Sequence, residues 1–367
     1  MKKIAIIGSG SWGVALATYL ANVGNQVKIW SFSEEERDLI NNEKKCKFLP
    51  DLIIPDNIYC STSYEEVIKD TEFILHVTPS KFTRSTFEQY KQYVGEKPVI
   101  ICSKGFEKET LKTLVKVNDY FMKKYADYTR PSYVTKFRPS NIWTRAVYYE
   151  GLMALHTIYP RADYYDYAYN WAEFHKWGLR GGNTTRNADD HCCGQVYIEL
   201  YKICPEPYKI KNISTTMDML VNTPQVDDWT WIDAIQMGMP VFAQLGKVKG
   251  EQRYYDKMWQ MYSCSRNEIG GTGLFNAKEG LWWRDARFVK PYKEPNGKDC
   301  FWSRGNGWVY AALTRVLNEI PVNEPHRSDY IADFLAMSKA LKACQRSDGF
   351  WNVSLHDPSN FGGKETS

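Results

Sequence analysis

At 367 residues, with 43% hydrophobic and 25% charged residues, the chain has the make-up of a soluble globular protein long enough for two ordinary domains. A net charge of +4 without any dense Lys/Arg run argues against nucleic-acid binding, and no apolar run reaches the roughly 18 residues that cross a membrane. The nine cysteines include neither a C-x-x-C pair nor a partner His cluster at ligand spacing, so reduced thiols in the cytoplasm are expected and a metal site is not. The opening MKKIAIIG faintly imitates a signal peptide, but glycines and Trp12 interrupt it, and it reads as a strand and turn.

Composition changes along the chain. Trp12 and Trp30 are followed by no further tryptophan until residue 143, and eleven of the thirteen lie beyond residue 115. After Met1, the next methionine is Met122. Two unrelated sequences are expected to meet there, as residues 1–114 and 115–367.

In the first segment, Lys3 to Ile7 has the pattern of a short buried strand and runs into Gly8-Ser9-Gly10-Ser11-Trp12-Gly13, with a helix over 14–22 and a strand over 26–30. The first glycine permits a tight turn, the second lets a pyrophosphate approach the backbone, and the third lets the helix pack closely on the strand. The acid expected at the end of the second strand, to bind ribose, is missing: Ser31-Phe32-Ser33 stands there, without an arginine, so the choice between NAD and NADP is not readable. A helix near 64–69, a strand over 73–77, a helix around 83–93 and a strand over 98–102 complete an alternation that predicts an α/β, Rossmann-type parallel sheet.

GSGSWGVALA, Phe48–Pro50, VTPS and CSKGFEKETL resemble, in order, the N-terminal domain of NAD(P)-dependent glycerol-3-phosphate dehydrogenase. The resemblance implies that Gly8, Gly10, Ser11, Trp12 and Gly13 bind NAD(H) or NADP(H), and that Lys104 lies near nicotinamide and substrate. That family continues into a helical domain with a second essential lysine in a GNxxKN-type motif, which nothing here matches. Hydride transfer needs substrate and nicotinamide held in contact, so no dehydrogenase turnover is expected.

Residues 115–367 read as all-α: helices are expected at 117–128, 144–158, 164–176, 193–201, 232–245, 252–263, 307–318 and 329–345. Two echoes, GLMALHTIYPRADYYDYA and PVFAQLGKVKGEQRYYDKM, suggest repeated helical hairpins. Ile232, Ile235, Met239 and Phe242 recur at helical spacing, and Asp233 falls within that apolar face, where an ionised carboxylate is costly unless paired or used. Asp189 and Asp227 read as helix caps, Asp190 and Asp233 as candidate functional carboxylates. Phe301-Trp302-Ser303-Arg304 adds an arginine suited to bidentate capture of a carboxylate. Paired carboxylates, aromatic faces and an arginine fit an acidic sugar.

NADDHCCGQVYIELY, DDWTWIDAIQMGMPVFA, GLWWRD, FWSRGNGWVYAAL and DGFWNVSLHDPSNFGGKETS resemble glycoside hydrolase family 105, the unsaturated rhamnogalacturonyl hydrolases, and the related family 88 unsaturated glucuronyl hydrolases. The resemblance implies an (α/α)6 toroid and hydration of the C4=C5 vinyl ether of an unsaturated galacturonyl or glucuronyl oligosaccharide, with no cofactor. It makes Asp233 the proton donor and water activator, Asp190 its partner, Trp302 and Arg304 pocket residues, and Trp143 and Trp231 stacking surfaces. The sequence stops at Glu365-Thr366-Ser367 inside a motif that continues in the family, so an incomplete toroid is expected. The reading is thus a hydrolase segment behind an NAD-binding segment. The alternatives are a dehydrogenase-related oxidoreductase and an inactive chimeric reading frame.

Overall fold

The structure, a computed structural model, describes residues 1–102, 108–134 and 136–357. It divides into two compact units, Met1–Lys124 and a second beginning at Tyr125. The expected join at 114/115 therefore lies inside a continuous helix.

In the first unit, strands β1 (Lys3–Ile7), β2 (Gln26–Trp30), β3 (Ile58–Ser61), β4 (Phe73–His76) and β5 (Val99–Ile101) form a parallel sheet in the order β3-β2-β1-β4-β5. A parallel sheet is covered on both faces. On β1, Ile4 and Ile6 pack with Val14 and Ala17 of helix α1 (Ser11–Asn22), while Ala5 and Ile7 pack with Val67, Ile68 and Tyr90 on the other side. Helices α2 (Glu34–Asp38), α3 (Tyr64–Ile68), α4 (Thr83–Tyr90) and α5 (Lys108–Lys124) complete the unit. Neither β3 nor α2 is among the expected elements, because four or five residues are too few to show a period.

The second unit has eight helices among its described residues: α6 (Trp143–Ile158), α7 (Ala162–Phe174), α8 (Ala188–Ile203), α9 (Tyr208–Val221), α10 (Asp233–Lys249), α11 (Gln252–Asn267), α12 (Ser303–Glu319) and α13 (Arg327–Ala343). They pair as four consecutive hairpins, and α6, α8, α10 and α12 also touch in succession to form an inner layer. Two short hairpins, β6 (Ser132–Val134) with β7 (Lys136–Arg138) and β8 (Phe275–Asn276) with β9 (Leu281–Trp282), are added to the helices. The set differs from expectation in two places. The helix expected at 117–128 is the end of α5 in the first unit, and α9 is additional. The Ile-Ser-Thr-Thr run of α9 has weak helical propensity, yet Ile210, Ile213, Met217 and Leu220 are buried, so packing against α8 fixes the helix.

Helix α10 is not amphipathic: every residue from Ala234 to Gly246 is buried. Its partners are α8 and α12 on either side and α11 behind. Asp233 is the first residue of this helix, at its end rather than within an apolar stripe. The polar groups of the inner layer pair with one another. Glu150 of α6 accepts from Cys192 Sγ of α8 at 3.0 Å and from Gln236 Nε2 of α10 at 2.9 Å, and Arg315 of α12 lies 3.4 Å away. Burial pushes the Glu150 carboxyl up, and Arg315 opposes that shift. One buried carboxyl thereby links all four inner helices.

The outer layer has its own tie. Asp333 of α13 is buried and accepts from Arg266 Nε and Nη2 of α11 at 2.7 Å each and from Tyr262 OH at 2.8 Å. Removing it would leave two nitrogens of the guanidinium and a buried hydroxyl without that acceptor. Asp333→Ala should lower unfolding free energy by about 3 kcal/mol, read from denaturant melts of the whole chain.

Candidate functional site

Each hairpin sends its outer helix back antiparallel to its inner one, so the four inner helices run in the same direction and their N-termini share one rim. Those N-termini carry the expected residues: Trp143 starts α6, Asp189 and Asp190 lie in the first turn of α8, Asp233 starts α10, and Ser303 and Arg304 start α12. Helix N-termini favour negative charge. The chain leaving β9 brings Arg284 and Asp285 to the same rim, where Ile232 N–H donates to the Arg284 carbonyl at 3.0 Å and Trp231 bridges Asp285. Two residues hold α12 in register. Fully buried Asn306 accepts from Trp282 N–H at 2.8 Å and donates to the carbonyls of Trp282 and Trp302 at 2.9 and 3.0 Å. A Cβ on Gly305 would lie 2.7 Å from Ile232 Cδ1 and from the Trp302 ring, so only glycine lets α12 approach the start of α10 this closely.

Asp233 is the centre of the charge pattern. Its Oδ2 is buried without a hydrogen-bond partner among the described residues. Burial raises its carboxyl above the usual range, Arg284 and Arg304 pull it down, and Asp285 adds to the rise. Both arginines lie over the Trp302 ring, Arg304 at 4.4 Å and Arg284 at 5.6 Å from its centroid. This cation–π packing positions the guanidiniums. Asp285 is itself buried, but hydrogen bonds from Arg287 outweigh that burial and hold it ionised below the usual range. Thr230, Trp231, Arg284, Asp285 and Arg287 line a cavity of about 420 Å³.

The two carboxylates of α8 divide differently from the expectation. Asp190 is closed off: it is 1% exposed, accepts from Arg180 Nε at 2.6 Å and Thr185 Oγ1 at 2.8 Å, and lies against Gly181. Asp189 does not cap the helix, since Asn187 Oδ1 accepts the Asp189 N–H at 2.9 Å. Its carboxyl is pushed up to about 6, first by burial, then by the charges of Asp233 and Asp190, against Arg180 and Arg138. Asp189 is therefore the α8 carboxylate that senses Asp233. Asp227 caps no helix, because α10 begins after Ile232. Trp143 and Trp231 are half-buried, whereas Trp302 is 7% exposed with its ring occupied by arginines. Sequence reasoning passes over Arg284 and Asp285 although both stand in GLWWRD. An Arg-Asp pair directly after two tryptophans was the available signal.

The first unit has its own cavity, about 1,090 Å³, at the C-terminal ends of β1 and β4. Its lining includes Gly8, Gly10, Ser11, Trp12 and Gly13. Between those strands the chain order reverses, the switch point at which doubly wound sheets bind ligands. The glycines fit a dinucleotide. Gly8 has φ +126°, a Cβ on Gly13 would collide with the Gly8 carbonyl, and a Cβ on Gly10 would meet open space where a phosphate can approach. Lys104 lies outside the described residues.

Helical hairpins whose inner helices all start at one rim have the architecture of an α/α toroid, and the comparisons agree. The pattern of Glycosyl Hydrolase Family 88 matches residues 113–367, and the chain belongs to that family. The "Unsaturated 3S-rhamnoglycuronyl hydrolase" of Formosa agariphila is 30% identical over 246 residues, 61% of this chain and 63% of that protein. A solved family 88 glycosyl hydrolase from Bacteroides vulgatus is 30% identical with a TM-score of 0.61, over 68% of this chain and 72% of that one. The chain thus spans less than two thirds of the curated hydrolase relative. Residues 3–129 match the N-terminus of NAD-dependent glycerol-3-phosphate dehydrogenase. The "Glycerol-3-phosphate dehydrogenase [NAD(P)+]" of Agathobacter rectalis is 40% identical over 116 residues, 31% of this chain and 34% of that protein. The two matches overlap across the C-terminal part of α5.

The Asp189 carboxyl has a consequence for stability. In the unfolded chain it ionises near 3.8, in the folded protein at about 6, so the folded state binds the extra proton between those values and stability falls as pH rises through the window. Asp189→Asn removes that loss. It should raise unfolding free energy at pH 7 by about 1–2 kcal/mol, below the roughly 3 kcal/mol of the full displacement because Asp189 keeps contact with water, and the gain should vanish near pH 4.

Proposed function

We propose that the second unit hydrolyses unsaturated galacturonyl or glucuronyl oligosaccharides by hydrating the C4=C5 vinyl ether. The observation that carries this reading is the buried Oδ2 of Asp233 at the rim, without a hydrogen-bond partner among the described residues and within the electrostatic reach of Arg284 and Arg304. Arg284 and Arg304 suit the uronate carboxylate, because a planar guanidinium can donate two parallel hydrogen bonds. Asp233, whose burial favours its protonated form, delivers its proton to C4. Water then adds at C5 and returns a proton to the carboxylate, and the resulting hemiketal collapses to release the neighbouring sugar. Asp189 is the second carboxyl, whose ionisation the charge of Asp233 opposes. Asp190 is a positioning residue that ties the Arg180 and Thr185 segment to α8. Trp231 and Trp143 offer apolar faces to the sugar rings, and no step calls on a cofactor. The name of the Formosa relative and membership of the family support the substrate class. The cytoplasmic location inferred from cysteine usage belongs to the same proposal.

Incubation with an unsaturated rhamnogalacturonan or rhamnoglycuronan disaccharide should bleach the ultraviolet absorbance of the conjugated uronate. Asp233→Asn should slow this by on the order of 10³-fold. Arg284→Ala should lower kcat/KM by about 10–100-fold through loss of charged hydrogen bonds. An unaltered rate in Asp233→Asn would end the assignment. Wild-type kcat/KM should fall towards alkaline pH, where Asp233, held above the ordinary carboxylate range by burial, loses its proton.

A second reading applies to the first unit and rests on its glycine loop: it binds a nicotinamide dinucleotide without turning over a substrate. Saturable dinucleotide binding should accompany NADH oxidation that stays at the buffer rate with dihydroxyacetone phosphate. Oxidation above that rate would refute the second half of this reading.

A further inference from the structure

We infer that Glu36 makes the glycine-loop cleft selective for a dinucleotide with a free ribose 2′-hydroxyl, NAD(H), over its 2′-phosphorylated form. This rests on the dinucleotide reading of the cleft. In a doubly wound nucleotide site, the end of the second strand is where an acid accepts the ribose hydroxyls or an arginine takes the 2′-phosphate. Here the strand is followed by Ser31, Phe32 and Ser33, none of which is an acid or an arginine.

The structure supplies the acid from the next helix. Ser33 Oγ caps α2 by accepting the Glu36 N–H at 3.3 Å, and in that first turn the Glu36 side chain reaches back to the glycine loop. Its Oε2 accepts from Ser9 Oγ and, at 3.2 Å, from Ser31 Oγ. Ser9 lines the cleft. Both serines are buried, so the carboxylate is held at one oxygen while Oε1 has no hydrogen-bond partner among the described residues. A carboxylate fixed this way can accept from vicinal ribose hydroxyls without giving up the serines.

The same arrangement works against a phosphate. None of the described residues lining the cleft is Lys, Arg or His. Arg37, next to Glu36, is drawn to Asp38 at 2.8 Å and Glu34 at 3.7 Å. Lys81 lies over the Phe82 ring, beyond β4 rather than β2. A 2′-phosphate would bring nearly two negative charges beside a carboxylate with no cation at the end of β2 among the described residues to offset them.

The test is titration of the whole chain with NADH and with NADPH, followed by calorimetry. The expected result is a Kd for NADH at least about tenfold lower than for NADPH, and a ratio cut to roughly threefold or less in Glu36→Gln. Phe32→Arg, at a position 89% exposed and so neutral to folding, should also narrow the ratio by placing a cation at the strand end. NADPH binding as tight as NADH in the wild type, or an unchanged ratio in either variant, overturns the assignment while leaving the dinucleotide reading in place. Binding of neither dinucleotide overturns both.

Discussion

The burial of α10 on every side from Ala234 to Gly246 is the constraint from which the hydrolase unit follows. A helix with no solvent face must be covered on every side, and here α8, α12 and α11 do so. Because neighbours on both sides have to be inner helices of other hairpins, the layered arrangement and the common direction of the inner helices come with it. The polar groups that enter this layer are linked through Glu150, which is stable only because Cys192, Gln236 and Arg315 meet it. The N-terminus of α10 is then the place where so rigid a helix can present a charge, and Asp233 occupies it.

The chemistry at that rim is a balance between burial and countercharge. Burial raises the Asp233 carboxyl and the arginines oppose that rise. Opposed influences of this kind are how a site tunes a carboxyl for giving and taking back one proton. Trp302 takes part without touching a carboxylate, by fixing two guanidiniums over one ring. The adjacent aspartates of α8 show how one residue's offset decides a role: one turns inward to an ion pair with Arg180, and the other stays half-exposed and senses Asp233.

The first unit uses the same physics in a different fold. Backbone N–H groups at the start of a helix, freed by glycines, await an anion, and a carboxylate from a neighbouring element helps set which anion fits. The two family patterns meet on α5 rather than in a Gly/Ser/Pro-rich linker. The change in tryptophan and methionine usage marks the same region, so the fusion of two unrelated sequences is legible twice.

The linear sequence determined the class of each unit, because the evidence for class is local. A glycine loop between a strand and a helix, and alternation of short elements, specify a parallel sheet from a few residues each. Motifs such as DDWTWID and FWSRGNG keep their identity wherever the chain takes them. What required the tertiary structure depends on groups far apart in the chain. Asp189 rather than Asp190 senses Asp233 because Arg180 and Thr185 have claimed Asp190. Arg284 joins Arg304 because Asn306 ties β9 to α12. The acid missing from the end of β2 is provided by Glu36 because a Ser33 cap turns α2 back to the glycine loop. Burial and electrostatic fields are sums over neighbours in space, and spacing along the chain does not contain them.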